Sequence, residues 1–518
     1  MQGENSRPVP EEVRASAVDK SAQERFESQE QALRDAGIKL ARAVAALEPD
    51  ERYHPTMPAV FAVGGFVRDM MIGIKPKDMD VEVYGVDPER LKELLASLFG
   101  RVDTVGEAFG ILKVRIGDGL ELDVSIPRRE SKAGAGHRGF LVDSDPSLGV
   151  VEAGRRRDFT MNSMAYDLAN GVSFDPFGGL EDLEKRELRV TDHERFQDDP
   201  LRVMRAAQFA ARFGLVVESA SFMLMKEMIE RGDLAELPAE RIFEEWRKLL
   251  LKSARPSIGI ELLRALGATE KHFPELHALI DVEQEKEWHP EGDVWRHTMM
   301  VTDEAAKIIR REDFSSEEKE VVMFGALCHD VGKPAVTQEF GGRIRSHGHE
   351  EDGVEPTKVF LRRMRVSNVV EDGVLSCVRD HLKPELLHIE LEKGRMDEVQ
   401  YANAVRKLLK RIAPLSWKAF LAVCEADSRG RALPGVQTNP YFAGEKMAQV
   451  IARERLDAAP TQPIILGRDV LALVESRGQV RKPGQWVGEA IKRVEAMRDA
   501  GEIVTREQAL EALSKLEL

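Results

Sequence analysis

The sequence has little of what secreted, disulfide-stapled and membrane proteins depend on. Its 518 residues include three cysteines, an odd number with no CxxC pair, which excludes a small disulfide framework and indicates reduced thiols. No stretch reaches the roughly 18 uninterrupted apolar residues that a membrane helix needs, and the first 20 residues contain no apolar core, so we expect neither a membrane association nor a secretory signal. These absences favour a cytoplasmic protein, and no feature indicates an obligate protein partner.

Aromatic residues are also few, at 6%, whereas 42% hydrophobic and 32% charged residues are ordinary for a globular protein. This composition excludes a disordered or collagen-like chain. The formal net charge of −15 argues against a protein that coats itself in nucleic acid. Residues 391–518 nevertheless carry a local net charge of +4, so a basic tail that holds RNA and an ordinary solvated helical surface both remain open.

The order of patterns along the chain predicts several domains, and the length leaves room for about three to four. Short apolar runs typical of strands alternate with helical patterns up to about residue 190, and the pattern is helical afterwards. Polar breaks near 282–293 and 433–442 indicate boundaries. We predict these segments: 1–55, a flexible leader and amphipathic helix; 56–190, an α/β head; 191–281, a helical neck; 282–432, a histidine-rich helical domain; and 433–518, a helical tail.

The segment FAVGGFVRDMMIGIKPKDMDVEVYG contains a pair of adjacent glycines, an arginine three residues later and an Asp-Met-Asp sequence. Gly64 and Gly65 end a short apolar strand, where backbone N–H groups can approach phosphate oxygens because no Cβ intervenes. Arg68 offers a fork of donors to a triphosphate. Asp78 and Asp80 are two residues apart, so on a strand both carboxylates face one side, as a divalent-metal site for phosphoryl transfer requires. Each feature alone is commonplace, but their order within seventeen residues favours a functional site.

A third carboxylate, Asp123, lies in the second strand of a hairpin that we predict around Gly117–Gly119. The pattern GGxVRD followed by DxD resembles the signature of class II nucleotidyltransferases of the polymerase-β superfamily, the tRNA CCA-adding enzymes and bacterial poly(A) polymerases. The resemblance covers about residues 58–275 and continues in RRRDFTMNSMAYD (155–167), DPFGGLEDLEKRELR (175–189), DDPLRVMRAAQFAARFG and ERIFEE (240–245). Two departures, Asp198 for the family's Glu and Gln208 for its usual Arg, do not touch the presumed base-reading residues.

This resemblance implies a set of site residues and a cofactor. It implies Mg²⁺ held at catalytic aspartates, namely Asp78, Asp80 and Asp123. It also implies a nucleotide site made of Gly64, Gly65, Arg68, Asp69, Arg157, Asp158, Asn162, Asp199, Arg202 and Arg205.

In that family an Asp and an Arg one helical turn apart read the Watson–Crick edge of the incoming base, and the matching residues are Asp199 and Arg202, with Arg205 facing the same cleft. The chemistry is sensible, because an Asp accepts from an exocyclic amine and an Arg donates to a ring nitrogen or carbonyl. Both CTP and ATP carry an amine beside an unprotonated ring nitrogen, so one pair can accept both. Without the family context, an intrahelical salt bridge is the simpler interpretation.

Histidines are concentrated between residues 294 and 430, in VWRHTMMV, FGALCHDVGKP, SHGHEEDG and RDHLKP, followed by CEADSRGR. Histidine and aspartate are good ligands for divalent metals, with Mg, Mn, Ni and Co all compatible. The pattern resembles the H…HD…D signature of HD-domain phosphohydrolases, in which a metal-bound water attacks a phosphate ester. The resemblance implies metal ligands at His297, His329, Asp330 and Asp427, with His349 and His381 as possible further ligands. Lys333 could meet a phosphate, and His289 is expected to shape the entrance.

Together these resemblances imply a polymerase-β-like α/β nucleotidyltransferase head followed by all-α neck, HD and tail domains, as in HD-bearing bacterial CCA-adding enzymes. The sequence therefore predicts a tRNA nucleotidyltransferase that adds CCA to tRNA 3′ ends from CTP and ATP, with phosphatase or 2′,3′-cyclic phosphodiesterase activity in the HD domain. A poly(A) polymerase, a relative that adds only A or only CC, and a regulator with an inactive head are the alternatives. The Gly-rich basic segment 128–140, which we expect to be mobile, favours full CCA addition.

Overall fold

The computed structural model describes residues 31–75, 78–105, 111–117, 120–132, 140–456, 464–477, 482, 484–499, 503 and 505–516. The chain divides into two compact units, Met1–His277 and Ala278–Leu518. The finer division into five segments stays a prediction. Within the described residues, no helix combines the length and apolar character needed to cross a membrane.

The first unit contains all but two of the strands that the structure describes. Its strands are β1 Ala59–Val63, β2 Met79–Tyr84, β3 Val102–Val105, β4 Ile111–Gly117, β5 Leu120–Ser125, β6 Arg128–Lys132, β7 Phe140–Ser144, β8 Ala165–Asp167, β9 Val172–Phe174, β10 Glu187–Leu188 and β11 Val216–Val217. Its helices are α1 Gln31–Ala45, α2 Gly65–Met71, α3 Pro88–Phe99, α4 Val150–Arg155, α5 Gly179–Lys185, α6 His193–Phe196, α7 Leu201–Phe213, α8 Ser219–Arg231, α9 Ala239–Lys252, α10 Ser257–Ala265, α11 Ala268–His272 and α12 Pro274–His277.

Seven strands form the main sheet of this unit, in the order β3-β4-β5-β2-β1-β8-β9. All neighbours in it are antiparallel except β2 and β5, which are parallel. Strand β2 alternates, so Met79, Val81 and Val83 are buried in the core while Asp80 and Glu82 project to the other face. The predicted pairing of β4 with β5 is confirmed, although Asp118 and Gly119 lie outside the described residues.

Two features of the head differ from the sequence prediction. Strand β3 and the three-residue strands β8 and β9 were not predicted, because runs of three or four residues are too short to show a period. The segment 128–140 begins as a strand, since β6 pairs antiparallel with β7. Residues 133–139 lie outside the described residues, so the expected mobility of this segment stays a prediction.

The second unit is helical in its described residues except for a short hairpin, β12 Gln338–Phe340 paired with β13 Arg343–Arg345. Its helices are α13 Val294–Arg311, α14 Ser316–Cys328, α15 Lys333–Val336, α16 His349–Asp352, α17 Val354–Arg363, α18 Asn368–Asp380, α19 Lys383–Glu392, α20 Glu398–Ile412, α21 Trp417–Gly430, α22 Phe442–Glu454, α23 Gly467–Ser476, α24 Gln485–Asp499 and α25 Arg506–Lys515. Helix α14 packs against α13, α18 and α21 at the centre of this unit. The three cysteines are free and buried. An α/β head followed by helical regions is the architecture predicted from the sequence.

Candidate active sites

Asp80 and Asp123 lie side by side in the first unit, because the parallel pairing of β2 with β5 makes them register partners. Asp78 does not share the strand with Asp80 as predicted. It lies in the bend that precedes β2, since the strand begins only at Met79. The three predicted carboxylates therefore converge from one bend and two adjacent strands rather than from one strand face.

The carboxyl of Asp80 sits in an electrostatically unfavourable place for a negative charge. Partial burial and the negative charges of Asp123 and Asp78 raise its pKa to about 6. The positive charge of Arg157 offsets only part of this rise. Asp80 is nevertheless exposed to an open cleft. Asp123 has an ion-pair partner, Lys113 Nζ at 3.2 Å. A cluster of carboxylates that repel one another and are open to solvent suits a divalent cation.

The double glycine forms the turn between β1 and α2, directly beside these carboxylates. Gly64 caps α2 with a φ of 67°, a conformation that favours glycine, and a Cβ there would lie 3.9 Å from Asp80 Oδ2. Arg68, one turn into the helix, is buried and its guanidinium donates to Asp69 Oδ1 (2.8 and 2.6 Å) and to Asn162 Oδ1 (2.7 Å). Its fork of donors thus braces the turn and Asn162 in the wall of the cleft.

The RRD motif supplies a second braced pair. Asp158 is buried and accepts from Arg205 Nε (2.7 Å) and from the Asn162 amide (2.9 Å). Burial opposes its charge, but Arg205 and Asn162 outweigh it and lower its pKa. Arg157 forms an ion pair with Glu82 of β2 (3.0 Å). These contacts hold Arg157 and Asp158 in the wall of the cleft.

The presumed base-reading pair is arranged differently from the prediction. Helix α7 begins at Leu201, so Asp199 precedes the helix instead of sharing a face with Arg202. No Asp199–Arg202 salt bridge forms between these described side chains. Asp199 Oδ2 instead accepts from Arg241 of α9 (2.8 Å), and Arg202 donates to the backbone carbonyls of Arg195 and Arg156 (2.7 Å each).

These residues line one cavity of about 520 Å³. The cavity brings together the predicted residues Gly64, Gly65, Arg68, Asp80, Arg157, Asp158, Asn162, Asp199, Arg202 and Arg205. It also contains four cations that the sequence reasoning missed, namely Arg212, Arg241, Lys248 and Lys252. The spacing of these cations along the helices could have indicated them: positions 241, 248 and 252 share one face of α9, and positions 205 and 212 share one face of α7. Of the other predicted residues, Asp69 braces Arg68 from behind, while Asp78 and Asp123 adjoin Asp80.

The second unit gathers its histidines at one place, where α13, α14, α18 and α21 meet. All six predicted ligands are buried and come from five places in the chain: His297 on α13, His329 and Asp330 after α14, His349 at the start of α16, His381 after α18 and Asp427 on α21. They form two groups, each with ligand atoms within 4.8 Å of one another: His297, His329 and Asp427, and Asp330, His349 and His381.

Asp330 joins the two groups. Its Oδ2 lies 3.1 Å from His329 Nε2, and its Oδ1 lies 3.3 Å from His349 Nε2. In the first group His297 Nε2 lies 3.1 Å from Asp427 Oδ1 and 3.3 Å from His329 Nε2. In the second, His349 Nε2 lies 3.4 Å from His381 Nε2. Facing imidazole nitrogens at such distances suit a shared cation.

The opposite nitrogen of each ring fixes this orientation. Nδ1 of His329, His349 and His381 each lies 2.8 Å from a backbone carbonyl, which can only accept, so Nδ1 carries a proton and Nε2 faces the cluster. Burial opposes protonation of His329 and His349, but Asp330 outweighs burial and raises the pKa of both rings. A metal bound at Nε2 would take the place of that second proton. Burial and the neighbouring His329 and His349 lower the pKa of His381 to about 3, which keeps this ring neutral. Neutral imidazoles and carboxylates are the donors that a divalent transition metal takes.

The charge of Asp330 is already compensated by the protein. Burial opposes its ionisation, but His329 and Lys333 outweigh burial and hold its pKa well below the usual range. Lys333 Nζ lies 2.7 Å from Asp330 Oδ2 and also donates to Gln284 Oε1 at 2.7 Å. Gly332, next to Lys333, lets the backbone of His349 approach closely, because a Cβ at Gly332 would meet the His349 carbonyl oxygen at 2.1 Å.

Glu291 is a buried residue of this site that the sequence reasoning missed. Its Oε1 accepts from Nδ1 of both His289 and His297 (2.9 Å each), and its Oε2 accepts from the Ala432 backbone N–H (3.0 Å). It thereby orients His297 in the same way that the carbonyls orient the other rings. His289, expected at the entrance, lines the cavity of about 500 Å³ that opens over the histidines.

Known families and proteins resemble this chain across the regions that hold both sites. Three family models match the chain: the poly A polymerase head domain over residues 60–189, the probable RNA and SrmB-binding site of polymerase A over 214–280, and the HD domain over 294–411. The multifunctional CCA protein of Xanthomonas campestris pv. campestris is 37% identical over 399 residues, which are 76% of this chain and 90% of that protein. That of Pasteurella multocida is 35% identical over 379 residues, 72% of this chain and 84% of that protein.

The chain belongs to the multifunctional CCA protein family. Solved structures agree in fold: the CCA-adding enzyme of Bacillus stearothermophilus in complex with CTP superposes with a TM-score of 0.60 at 20% identity, covering 93% of this chain and 97% of that one. The Thermotoga maritima CCA-adding enzyme complexed with tRNA gives 0.54 at 19% identity, covering 95% and 98%. The predicted fold class, a nucleotidyltransferase head followed by helical domains, is therefore confirmed.

In this member of the multifunctional CCA protein family, the matched ranges leave out parts of both cavities. Asp199, Arg202 and Arg205 fall between the first two ranges, and Glu291 and Asp427 flank the third. The geometry, not the match, is what connects these residues to their sites.

Proposed function

We propose that this protein adds C, C and A to the 3′ ends of tRNA from CTP and ATP. Membership of the multifunctional CCA protein family supports the reaction, and one structural observation carries it. Asp80 lines a cavity that also contains arginines, lysines and a double-glycine turn, and Asp123 is the register neighbour of Asp80 on the adjacent strand. A triphosphate carrying a divalent cation is complementary to such a cavity in both signs of charge.

In this proposal Asp78, Asp80 and Asp123 hold Mg²⁺. When bound there, Mg²⁺ supplies charge neutralisation for a triphosphate and activation of the tRNA 3′-hydroxyl. The cavity's cations hold the phosphates, while the Gly64–Gly65 turn lets backbone N–H groups approach them. Arg202 reads the base with Asp199, since each terminal nitrogen of its guanidinium keeps a second N–H after donating to one backbone carbonyl.

We propose further that the histidine site hydrolyses phosphate monoesters or 2′,3′-cyclic phosphates at RNA ends. The inward-facing Nε2 atoms and the two carboxylates support one or two divalent metals there, and a bound metal supplies a nucleophilic water of lowered pKa. Lys333 and Arg431 line the cavity and can balance the charge of a phosphate. A tRNA substrate and three reduced cysteines favour the cytoplasm as the location.

The decisive experiment gives the purified protein a tRNA that lacks its CCA end, together with each labelled nucleotide in turn. Incorporation of C and then A supports the proposal. Runs of A support a poly(A) polymerase, A alone or C alone supports a partial enzyme, and absence of incorporation contradicts the proposal. Release of phosphate from 3′-phosphorylated RNA, with Asp427→Asn as the inactive control, tests the histidine site separately.

A further inference from the structure

Trp288 stands apart from the other tryptophans of the chain. Its side chain is 53% exposed, whereas Trp246 and Trp295 are buried and the remaining two are half-buried. Exposing a large aromatic surface to water forfeits hydrophobic stabilisation. Trp288 nonetheless lines the cavity that opens over the histidine site, where a ligand could cover it.

The backbone around Trp288 is held firmly in place. The backbone N–H groups of Trp288 and His289 both donate to the Glu285 carbonyl, at 3.0 and 2.9 Å. The Glu285 carboxylate accepts from the backbone N–H of Ile344 at 3.2 Å, which attaches the β12–β13 hairpin to this turn. On the other side the ring of His289 packs against that of His297, with centroids 4.7 Å apart. The indole is therefore anchored one residue away from the ring that contacts a proposed metal ligand.

The cavity has three kinds of surface. Its histidines and aspartates suit a metal-bound phosphate, and its cations, Lys333 and Arg431 among them, suit the phosphate charge. The third surface is apolar and contains Trp288, Ile344, Leu382 and Leu386. A nucleotide combines a phosphate with a flat apolar base, and the volume of about 500 Å³ is within the range of small-ligand pockets.

We propose that Trp288 is a base-stacking residue, so that the histidine site prefers phosphate carried on a nucleoside over phosphate carried on an aliphatic alcohol. This inference rests on the proposed phosphohydrolase function. Base–aromatic stacking is strong and tolerant of base identity, which suits an RNA end whose last nucleotide varies. Neither the matched HD range, which begins at residue 294, nor its motif includes this residue.

The test compares adenosine 3′-phosphate with glycerol 2-phosphate as substrates of the full-length, metal-loaded protein. Trp288→Ala is expected to raise KM for the nucleotide about tenfold with little change in kcat, while kcat/KM for glycerol 2-phosphate stays the same. Trp288→Phe should restore most of the lost affinity. Equal losses on both substrates, or no loss on either, overturn the proposal.

Phe340→Ala is the matched control, because Phe340 is an exposed aromatic residue of the adjoining hairpin, 66% exposed, that does not line the cavity. Its KM values should stay within about twofold of those of the unchanged protein. Nucleotide binding to the metal-free protein provides a readout that needs no hydrolysis: adenosine 3′-phosphate should quench a part of the tryptophan fluorescence that Trp288→Phe removes. If the protein hydrolyses neither substrate but shows this quenching, the phosphohydrolase proposal fails and the stacking subsite stands; absence of the quenching overturns the subsite.

Discussion

Asp80 and Asp330 are both proposed metal ligands, yet the protein treats them in opposite ways. Asp80 faces an open cleft beside two other carboxylates, and its pKa is raised to about 6. Asp330 is fully enclosed between a lysine and two histidines, and its pKa is held well below the usual range. The two pKa shifts have opposite signs although the side chain is the same.

The two shifts are opposite because the two sites obtain their positive charge from different sources. The cleft of the head leaves Asp80 repelled by its neighbouring carboxylates, so the binding of a cation together with its nucleotide would relieve that repulsion. The histidine site carries its own compensating cation, Lys333, so Asp330 keeps its negative charge before anything binds. The cleft of the head therefore suits a cation that enters and leaves with each nucleotide. The histidine site suits a metal that stays bound.

The largest expected effect is on nucleotide addition. Asp80→Asn should lower the rate of CCA addition by at least about a thousandfold, because a cation-binding carboxylate at the reacting phosphate is lost. Phosphate release at the histidine site should be unchanged, as measured on 3′-phosphorylated RNA. Glu121→Gln, a change at a half-buried carboxylate of the same strand as Asp123, is the control and should keep near-normal addition. Loss of both activities in Asp80→Asn would contradict the assignment of separate sites.

Removing the charge of Asp330 at the histidine site should instead destabilise the protein. Asp330→Asn leaves Lys333 buried beside a neutral group, which is expected to cost about 3 kcal/mol in urea unfolding of the metal-free protein. The exposed Asp352 on α16 offers a control, since Asp352→Asn should change the unfolding free energy by less than about 0.5 kcal/mol. Adding Lys333→Met to Asp330→Asn should recover part of the loss. Equal stability of Asp330→Asn and the unchanged protein would show that Lys333 needs no counter-charge.

A smaller effect is expected from Arg241, which holds Asp199. Arg241→Ala should raise KM for CTP and ATP about tenfold, because the carboxylate proposed to read the base loses a charge-assisted hydrogen bond. Arg247→Ala on the same helix, outside the cavity, should leave KM unchanged, and Arg241→Lys should recover part of the affinity. Unchanged KM in Arg241→Ala would mean that Asp199 is oriented by its other contact, the Leu201 backbone N–H.

The smallest expected effect is a gain in the thermal stability of the metal-free protein. The Asp80 pKa is raised in the folded state above its value of roughly 3.9 in the unfolded chain, so its neutral form stabilises the fold and this contribution is lost as the pH rises through about 6. In metal-free protein Asp80→Asn should therefore raise Tm by about 1–3 °C at neutral pH, with solvent screening in the open cleft limiting the gain. The gain should shrink as the pH falls toward about 4.5. A lower Tm for this variant at neutral pH would contradict the sign of the shift.

Local patterns were sufficient for much of the site. The Gly64–Gly65 turn, the two aspartates around Met79 and the histidine–aspartate pair at 329–330 depend on neighbouring residues, and the structure places each of them in a cavity wall or beside one. The placement of Asp78 and Asp199 was wrong because each lies just outside the end of an element, where sequence patterns fix boundaries least well.

Contacts between distant segments could not be predicted in this way. Arg241 meets Asp199 across 42 residues, and Glu291 meets the Ala432 backbone across 141. Arg241 lies in the quoted motif ERIFEE and Glu291 lies two residues after His289, but neither stretch shows which distant residue its side chain will contact. The basic face of α9 was predictable in principle, but three cations at helical spacing are also an ordinary solvated surface until a cavity is seen beside them.

The bond from Glu291 to the Ala432 backbone has a practical consequence for anyone who wishes to excise the histidine region as a separate polypeptide. A fragment trimmed to residues 294–411 would lack Asp427, Glu291, which accepts from His297, and Trp288. Its cavity would therefore lose part of its lining at both ends of the fragment. A fragment that starts at Ala278 and continues beyond Ala432 would retain both residues of this bond, Glu291 and Ala432.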